Sequence, residues 1–258
     1  MEYELIEVEY QGSVGILRLN QPDKLNAMSE AMAEEIADAV GQIESSARAM
    51  VVTGAGRAFC SGADLAVDPA ELAALDFGLV LETHINPLMT RLRNLSIPWI
   101  TAVRGAAAGV GCSLALAGDM ILTSETAYFL QAFSKVGLCP DGGSSHLLAR
   151  TIGRPRAMEM MLLGDRLPAA TALEWGLVNR VVADEALESE ALALAERLAH
   201  GPRSLALTRA MVWHAVDSEW QGALDRERRD QTTAGNSADC AEGIAAFVQK
   251  RKAAFIGA

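Results

Sequence analysis

Three glycine-rich segments hold the residues best suited to chemistry in this chain: Thr53–Leu65 (TGAGRAFCSGADL), Val103–Ser113 (VRGAAAGVGCS) and Val136–Gly143 (VGLCPDGG). Glycine lacks a Cβ, so its backbone can approach a ligand closely and adopt dihedrals closed to other residues. Where such a turn opens a helix, the first N–H groups have no intrahelical acceptor and point outward. Two such turns facing each other would offer two N–H donors to one oxygen, an arrangement that holds negative charge on a carbonyl. Any one segment alone reads better as a tight turn or a close helix contact. Within the second segment, Gly111-Cys112-Ser113-Leu114-Ala115 misses the G-x-S-x-G nucleophile pattern by one residue, Ala115. A hydrolase built on Ser113 would draw its base from His146, His200 or His214. In the third, Pro140-Asp141-Gly142 has turn chemistry, and Asp141 can cap the helix that follows.

These segments need strands and helices to hold them. Ile6, Val8 and Tyr10 alternate with Glu7 and Glu9, which predicts a half-exposed strand. Gln11-Gly12-Ser13 turns it into a second strand over 14–19. Met28, Met32, Ile36, Val40 and Ile43 share a helical face, with Ser29 as N-cap. Short apolar strands follow at 50–53, 99–103 and 120–122, with a small-residue helix over 107–117 between the last two. Residues 68–95 read as a mostly helical insertion. This alternation predicts an α/β core with buried strands. From Asp184 onward the pattern is helical only, with a stripe of Leu187, Ala191, Leu194 and Leu198. After a break at Gly201-Pro202 comes a second stripe of Leu205, Thr208, Met211 and Ala215. Ser237 is placed to cap a last helix bearing Ile244, Phe247 and Val248. A helical tail of this kind either docks on a neighbouring subunit or covers its own core. The division expected is a core over 1–198 and a helical region over 199–258.

Composition narrows the class. Of 258 residues, 50% are hydrophobic and 21% charged, a globular profile. The net charge of −11 argues against a general nucleic-acid partner but not against an anionic small molecule. Cys60, Cys112, Cys139 and Cys240 form no C-x-x-C pair, and with four scattered histidines they give no metal-ligand spacing. A reducing, cytoplasmic compartment is the simplest expectation. The acidic N-terminus does not read as a signal peptide, and the apolar stretch 106–122 is interrupted by Asp119 and short for a membrane span.

The glycine pattern in 105–111 is similar to the G-x-x-x-G-x-G of short-chain dehydrogenases, but it lies mid-chain and no Tyr-x-x-x-Lys comes after it. A fuller match lies elsewhere. Pro22-x-Lys24-Leu25-Asn26-Ala27, then Thr53-Gly54-x-Gly56-x-Ala58-Phe59-Cys60-Ser61-Gly62-Ala63-Asp64-Leu65, resembles the crotonase (enoyl-CoA hydratase/isomerase) superfamily. So do 98–111 with Asp119, and Gly164, Ala172 and Trp175-Gly176-Leu177-Val178 further on. The resemblance spans nearly the whole chain, in order and spacing. It implies a spiral of ββα units with a C-terminal helical trimerisation region, a homotrimer or homohexamer, and an acyl-CoA thioester substrate. No cofactor is implied beyond the coenzyme A of the substrate.

The same resemblance assigns roles. The backbone N–H groups of Ala63 and Val110 match an oxyanion hole, flanked by Gly109. Valine replaces the common glycine at 110, but a main-chain N–H survives that change. Coenzyme A is expected near Lys24, Leu25, Ala63, Asp64 and Leu65, with Lys250 toward its phosphates. The two glutamates of the hydratases correspond to Ser113 and Phe133, so both carboxylates are missing and ordinary hydration is disfavoured. Ser113 and Phe133 then become candidate substrate contacts. Asp141 falls where several enoyl-CoA isomerases carry an acid, and the run 133–141 is similar to isomerases acting on ring-1,2-epoxyphenylacetyl-CoA. Burial beside Leu130, Phe133 and Leu138 is expected to lift its pKa, making it a usable base. The competing expectations are a hydratase with an altered water site, a serine hydrolase, and a non-catalytic CoA-binding protein.

Overall fold

The computed structural model describes residues 3–65 and 76–258. Strands β1 (Ile6–Gln11) and β2 (Val14–Leu19) form an antiparallel hairpin, as the alternation predicts. Helix α1 (Glu30–Ser46) starts at Ser29, whose hydroxyl accepts the N–H of Met32 at 3.1 Å. Strands β3 (Ala49–Gly54), β4 (Trp99–Val103), β6 (Met120–Ser124) and β9 (Arg180–Val182) extend the hairpin into a six-stranded sheet. The order is β1-β2-β3-β4-β6-β9, parallel from β2 onward.

The helical insertion is seen over its second part. Helix α2 comprises Phe77–Val80, a π-helical turn Leu81–Ile85, and Asn86–Arg93. The expected start of this insertion, 68–75, lies outside the described residues. A small second sheet joins β5 (Ala106–Ala108), β7 (Tyr128–Leu130) and β8 (Arg166–Pro168) in the order β5-β7-β8. Here one expectation is corrected: 107–117 is not one helix. Its first residues are strand β5, and α3 (Val110–Leu116) begins only after Gly109. An alanine run suits either state, and pairing with Cys60 and with β7 selects the strand. Helices α4 (Ser144–Thr151), α5 (Gly153–Leu163), α6 (Ala169–Glu174) and α7 (Leu187–Ala199) complete the core.

Both faces of the large sheet are covered, so all six residues of β3 are buried. Met32, Ile36 and Ile43 of α1 pack against Leu17, Leu19, Met50 and Val52 on one face. On the other, Val14, Ile16, Val51, Ile100 and Leu122 meet Leu187, Ala191 and Leu194 of α7.

The tail consists of α8 (Ser204–Asp217), α9 (Trp220–Gly235) and α10 (Ala238–Gln249), and Ser237 caps α10 as expected. The apolar stripe read in α8 is not what buries it. Thr208 and Ala215 are exposed, and the buried residue is Arg209. Its guanidinium binds Asp119 at 2.7 Å and donates to the carbonyls of Leu92, Arg93 and Leu95. A cation thus closes the C-terminus of α2, where the helix carries partial negative charge. Trp213 adds a bond from Nε1 to Asp119 at 3.0 Å. Burial pushes the Asp119 carboxyl up, opposed by Arg209. Outward from this anchor, Trp220, Ile244, Phe247 and Val248 are largely exposed.

Candidate active site

The first two glycine-rich segments meet because of one piece of register. Cys60 forms a parallel bridge with Ala107: Cys60 N donates to Ala106 O at 3.0 Å and Ala108 N to Cys60 O at 2.9 Å. Three residues further along each chain lie Ala63 and Val110. Gly62 (φ +109°) and Gly109 (φ +52°) are the two turn points, and they touch. A Cβ on Gly109 would stand 3.6 Å from the Gly62 Cα, while one on Gly62 would stand 3.3 Å from the Ala108 carbonyl oxygen. Side chains here would be strained in conformation and crowded.

The residue after each of these glycines carries a free donor. Among the described residues neither Ala63 N–H nor Val110 N–H has an acceptor, although their neighbours do: Asp64 N donates to Met28 O and Gly109 N to Leu130 O, each at 2.9 Å. Val110 is the first residue of α3, where the absence of an intrahelical partner is inherent. Both residues line one cavity of about 750 Å³. Its walls are mostly apolar, with Phe77, Leu81 and Ile85 of α2 opposite Phe133, Val136 and Leu138. A π-helical turn in α2 at such a wall is a common mark of a functional site.

Asp141 lines the same cavity. Its Oδ1 is buried and has no hydrogen-bond partner among the described residues. Loss of water around the carboxyl raises its pKa from 3.8 to about 6. Phe133 and Leu138 line the same cavity as Asp141, whereas Leu130 does not. Among the described residues, the two other carboxylates on the lining are Glu30, near His84 Nε2 at 3.3 Å, and Asp64, paired with Lys24 at 2.9 Å. Each has a cationic or ionisable neighbour, and Asp141 has none among the described residues.

The remaining sequence candidates fall at different distances from this centre. Leu65, Asp64 and Gly109 line the cavity beside Ala63 and Val110, and Phe133 is buried against Gly109. Lys24 reaches the rim through Asp64. Leu25 adopts a left-handed conformation (φ +54°) behind it, and its carbonyl accepts the N–H of Ser61. Lys250 caps the C-terminus of α10, exposed and away from the cavity of its own chain. Ser113 is not a cavity contact at all. It is fully buried beneath the lining, and its hydroxyl donates to the Asp141 carbonyl at 2.9 Å.

That placement removes the basis of a serine hydrolase. His146 faces Asp217, His200 the Glu196 carbonyl and His214 the Gly222 carbonyl, so none of them partners Ser113. Among the described residues there is no cluster of three or more metal-ligating side chains, and no helix is long and apolar enough to cross a membrane.

Several residues that build the site carry no local signal of that role in the sequence. The buried Asn26 donates Nδ2 to the carbonyls of Ala55 (2.9 Å) and Ala58 (2.8 Å) and accepts the N–H of Gln21, which fixes the turn leading to Ala63. The walls contributed by α2 are equally silent, since nothing local indicates which core segment a surface helix will cover.

Comparison with known proteins agrees with this geometry. The family model described as enoyl-CoA hydratase/isomerase matches residues 9–258. The 1,2-epoxyphenylacetyl-CoA isomerase of Escherichia coli (strain K12) is 43% identical over 263 residues, covering 100% of this chain and 99% of that protein. A Rhodobacter capsulatus protein named "Probable enoyl-CoA hydratase" is 38% identical, with complete coverage of both chains. Among solved structures, "Enoyl-CoA Hydrates Subunit I" from Geobacillus kaustophilus HTA426 superposes with a TM-score of 0.91 at 37% identity and covers 100% of both chains. Four structural facts thus coincide with the family match: the hairpin-started sheet, the paired glycine turns, the free amides and the apolar cavity. The chain belongs to the enoyl-CoA hydratase/isomerase family, the crotonase superfamily.

Proposed function

We propose that this enzyme is an acyl-CoA isomerase in which Asp141 moves a proton on an enolate held by the N–H groups of Ala63 and Val110. The observation that carries this reading is the state of Asp141. It is a desolvated carboxylate without a partner for Oδ1, on the same cavity as two main-chain amides without acceptors. A thioester carbonyl makes its α-proton weakly acidic. Removing that proton puts negative charge on the carbonyl oxygen, and two preorganised donors stabilise it, each worth about 10²–10³ in rate. The protonated Asp141 then returns the proton at C4 of a 3-enoyl chain. The double bond moves into conjugation and no water is consumed. A carboxyl with a pKa near 6 suits both halves of that cycle.

Hydration has less support. The positions that match the hydratase glutamates hold Ser113, buried below the cavity, and Phe133, which has no proton to exchange. The similarity to an epoxyphenylacetyl-CoA isomerase supports a second substrate for the same site, a ring epoxide rearranged through the same oxyanion. Coenzyme A enters as part of the substrate, with its nucleotide near Lys24, Leu25, Asp64 and Leu65, and no resident cofactor is needed. The exposed apolar side chains of α9 and α10 favour a homotrimer, or a hexamer of two trimers, in which Lys250 would approach a phosphate. Four free cysteines suit the cytoplasm. The test is to incubate the enzyme separately with 3-enoyl-, 2-enoyl- and epoxyphenylacetyl-CoA and measure mass and absorbance over time. Isomers of unchanged mass from the first or third are expected. A product heavier by one water from 2-enoyl-CoA alone would replace this reading with hydration.

A further inference from the structure

The Asp141 carboxylate raises a physical problem: among the described residues no donor aims its buried oxygen. A direct donor would fix its direction, but hydrogen bonds to the charged form would also lower its pKa and weaken it as a base. The neighbouring main chain is held instead. The Asp141 carbonyl oxygen accepts the Ser113 hydroxyl at 2.9 Å, the Ser144 hydroxyl at 2.9 Å and the Ser144 N–H at 3.0 Å. Three donors on one carbonyl restrain the peptide plane next to the carboxylate's own Cα. Both serines are fully buried.

The packing acts in the same direction. After Asp141 the chain turns through Gly142 (φ +56°) and Gly143 (φ +78°). A Cβ on Gly142 would lie 2.7 Å from the Ser113 Cβ, so the turn rests directly on Ser113. Ser113 stands three residues after Val110 on α3, hence on the same helical face. One short helix therefore carries the free N–H at its first position and the hydroxyl that clamps the acid's turn.

Resting on the reading of Asp141 as proton carrier, we propose that Ser113 is a positioning residue. Through the Asp141 carbonyl it sets where the carboxylate sits relative to the Val110 N–H, leaving the carboxylate itself free of donors. Where hydratases place an acid, this chain uses a hydroxyl to aim an acid supplied by another turn.

Three variants, Ser113→Ala, Ser144→Ala and Asp141→Asn, test this in the full-length enzyme, with kcat, KM and the pH dependence of kcat/KM measured on whichever CoA ester turns over. For Ser113→Ala the proposal expects kcat to fall by about tenfold or more with KM within about twofold, because misplacement costs rate rather than binding. It also expects the acidic limb of kcat/KM to move to lower pH, as the loosened turn lets water reach the carboxylate. Ser144→Ala should move the same quantities in the same direction by less, since its N–H still holds the carbonyl. An inactive Asp141→Asn beside a Ser113→Ala of unchanged kcat and unmoved limb would overturn the positioning role and leave the proton carrier standing. Lower thermal stability alone in Ser113→Ala counts as that same overturning result. Wild-type turnover in Asp141→Asn would remove the carrier and the positioning role together. Should Ser113→Ala fail to fold, Ser144→Ala decides: an unmoved limb and unchanged kcat would overturn the proposal.

Discussion

The two halves of the site differ in what they are made of. The Gly62–Ala63 and Gly109–Val110 turns contribute main-chain N–H groups, aligned by the Cys60–Ala107 bridge and by close contact between two glycines. The Asp141 turn contributes one side chain, tuned by the dryness around it. The first half is set by backbone register and accepts a valine at 110 because the amide does not depend on the side chain. The second depends on a single residue type and a single environment. If the two amides hold an oxyanion as proposed, that half can keep its geometry while the acid half changes, and the reaction would be decided at the less redundant end.

The sharpest way to break the contrast is Asp141→Asn. Turnover should fall by about 10³-fold or more while acyl-CoA binding, read by titration calorimetry, stays within a few-fold. The amide half can be attacked without touching a side-chain function by Val110→Pro. Proline is tolerated at the first helical position and deletes the N–H there, and Val110→Ala controls for the lost valine side chain. A loss of about 10²–10³ in kcat is expected with an unchanged circular dichroism spectrum. The acid half alone should respond to pH. With a pKa near 6 and the ionised form active, kcat/KM should rise about tenfold per unit below pH 6 and level off above it.

Stability supplies a smaller effect of definite sign. Folding raises the Asp141 pKa from 3.8 to about 6, so the native state disfavours the ionised form. The resulting cost is absent below pH 3.8, grows between 3.8 and 6, and is complete above. Asp141→Asn should therefore be more stable than wild type at pH 8, by about 1–3 kcal/mol or a few degrees in Tm, and the advantage should vanish near pH 4. Smallest of all should be Val110→Ala, with kcat within about threefold, since the N–H remains.

Which features were legible from sequence depends on the range of the interactions behind them. The hairpin 6–19, the Ser29 cap and the α7 stripe rest on local periodicity, and they appear as read. Strands β5, β7, β8 and β9 have three residues each, too few for a period to register, and exist because a distant partner pairs with them. Arg209 breaks the expectation of an apolar face on α8. A cation was buried because Asp119 and three helix-end carbonyls needed it. For the site, the glycines, Phe133 and Asp141 were visible as motif residues. Ser113 was visible too but lies beneath the wall, one turn below Val110 on the same helix, because sequence does not say how deep into that helix the cavity reaches.

Exchange of the C2 proton of a 3-enoyl-CoA for deuterium in heavy water, monitored by NMR at pH 8, tests the proton step most directly. Wild-type enzyme should exchange it readily, with label appearing also at C4, and Asp141→Asn should exchange it about 10³-fold more slowly with the ester still bound. Equal exchange by the two proteins would contradict Asp141 as the group that lifts and returns the proton.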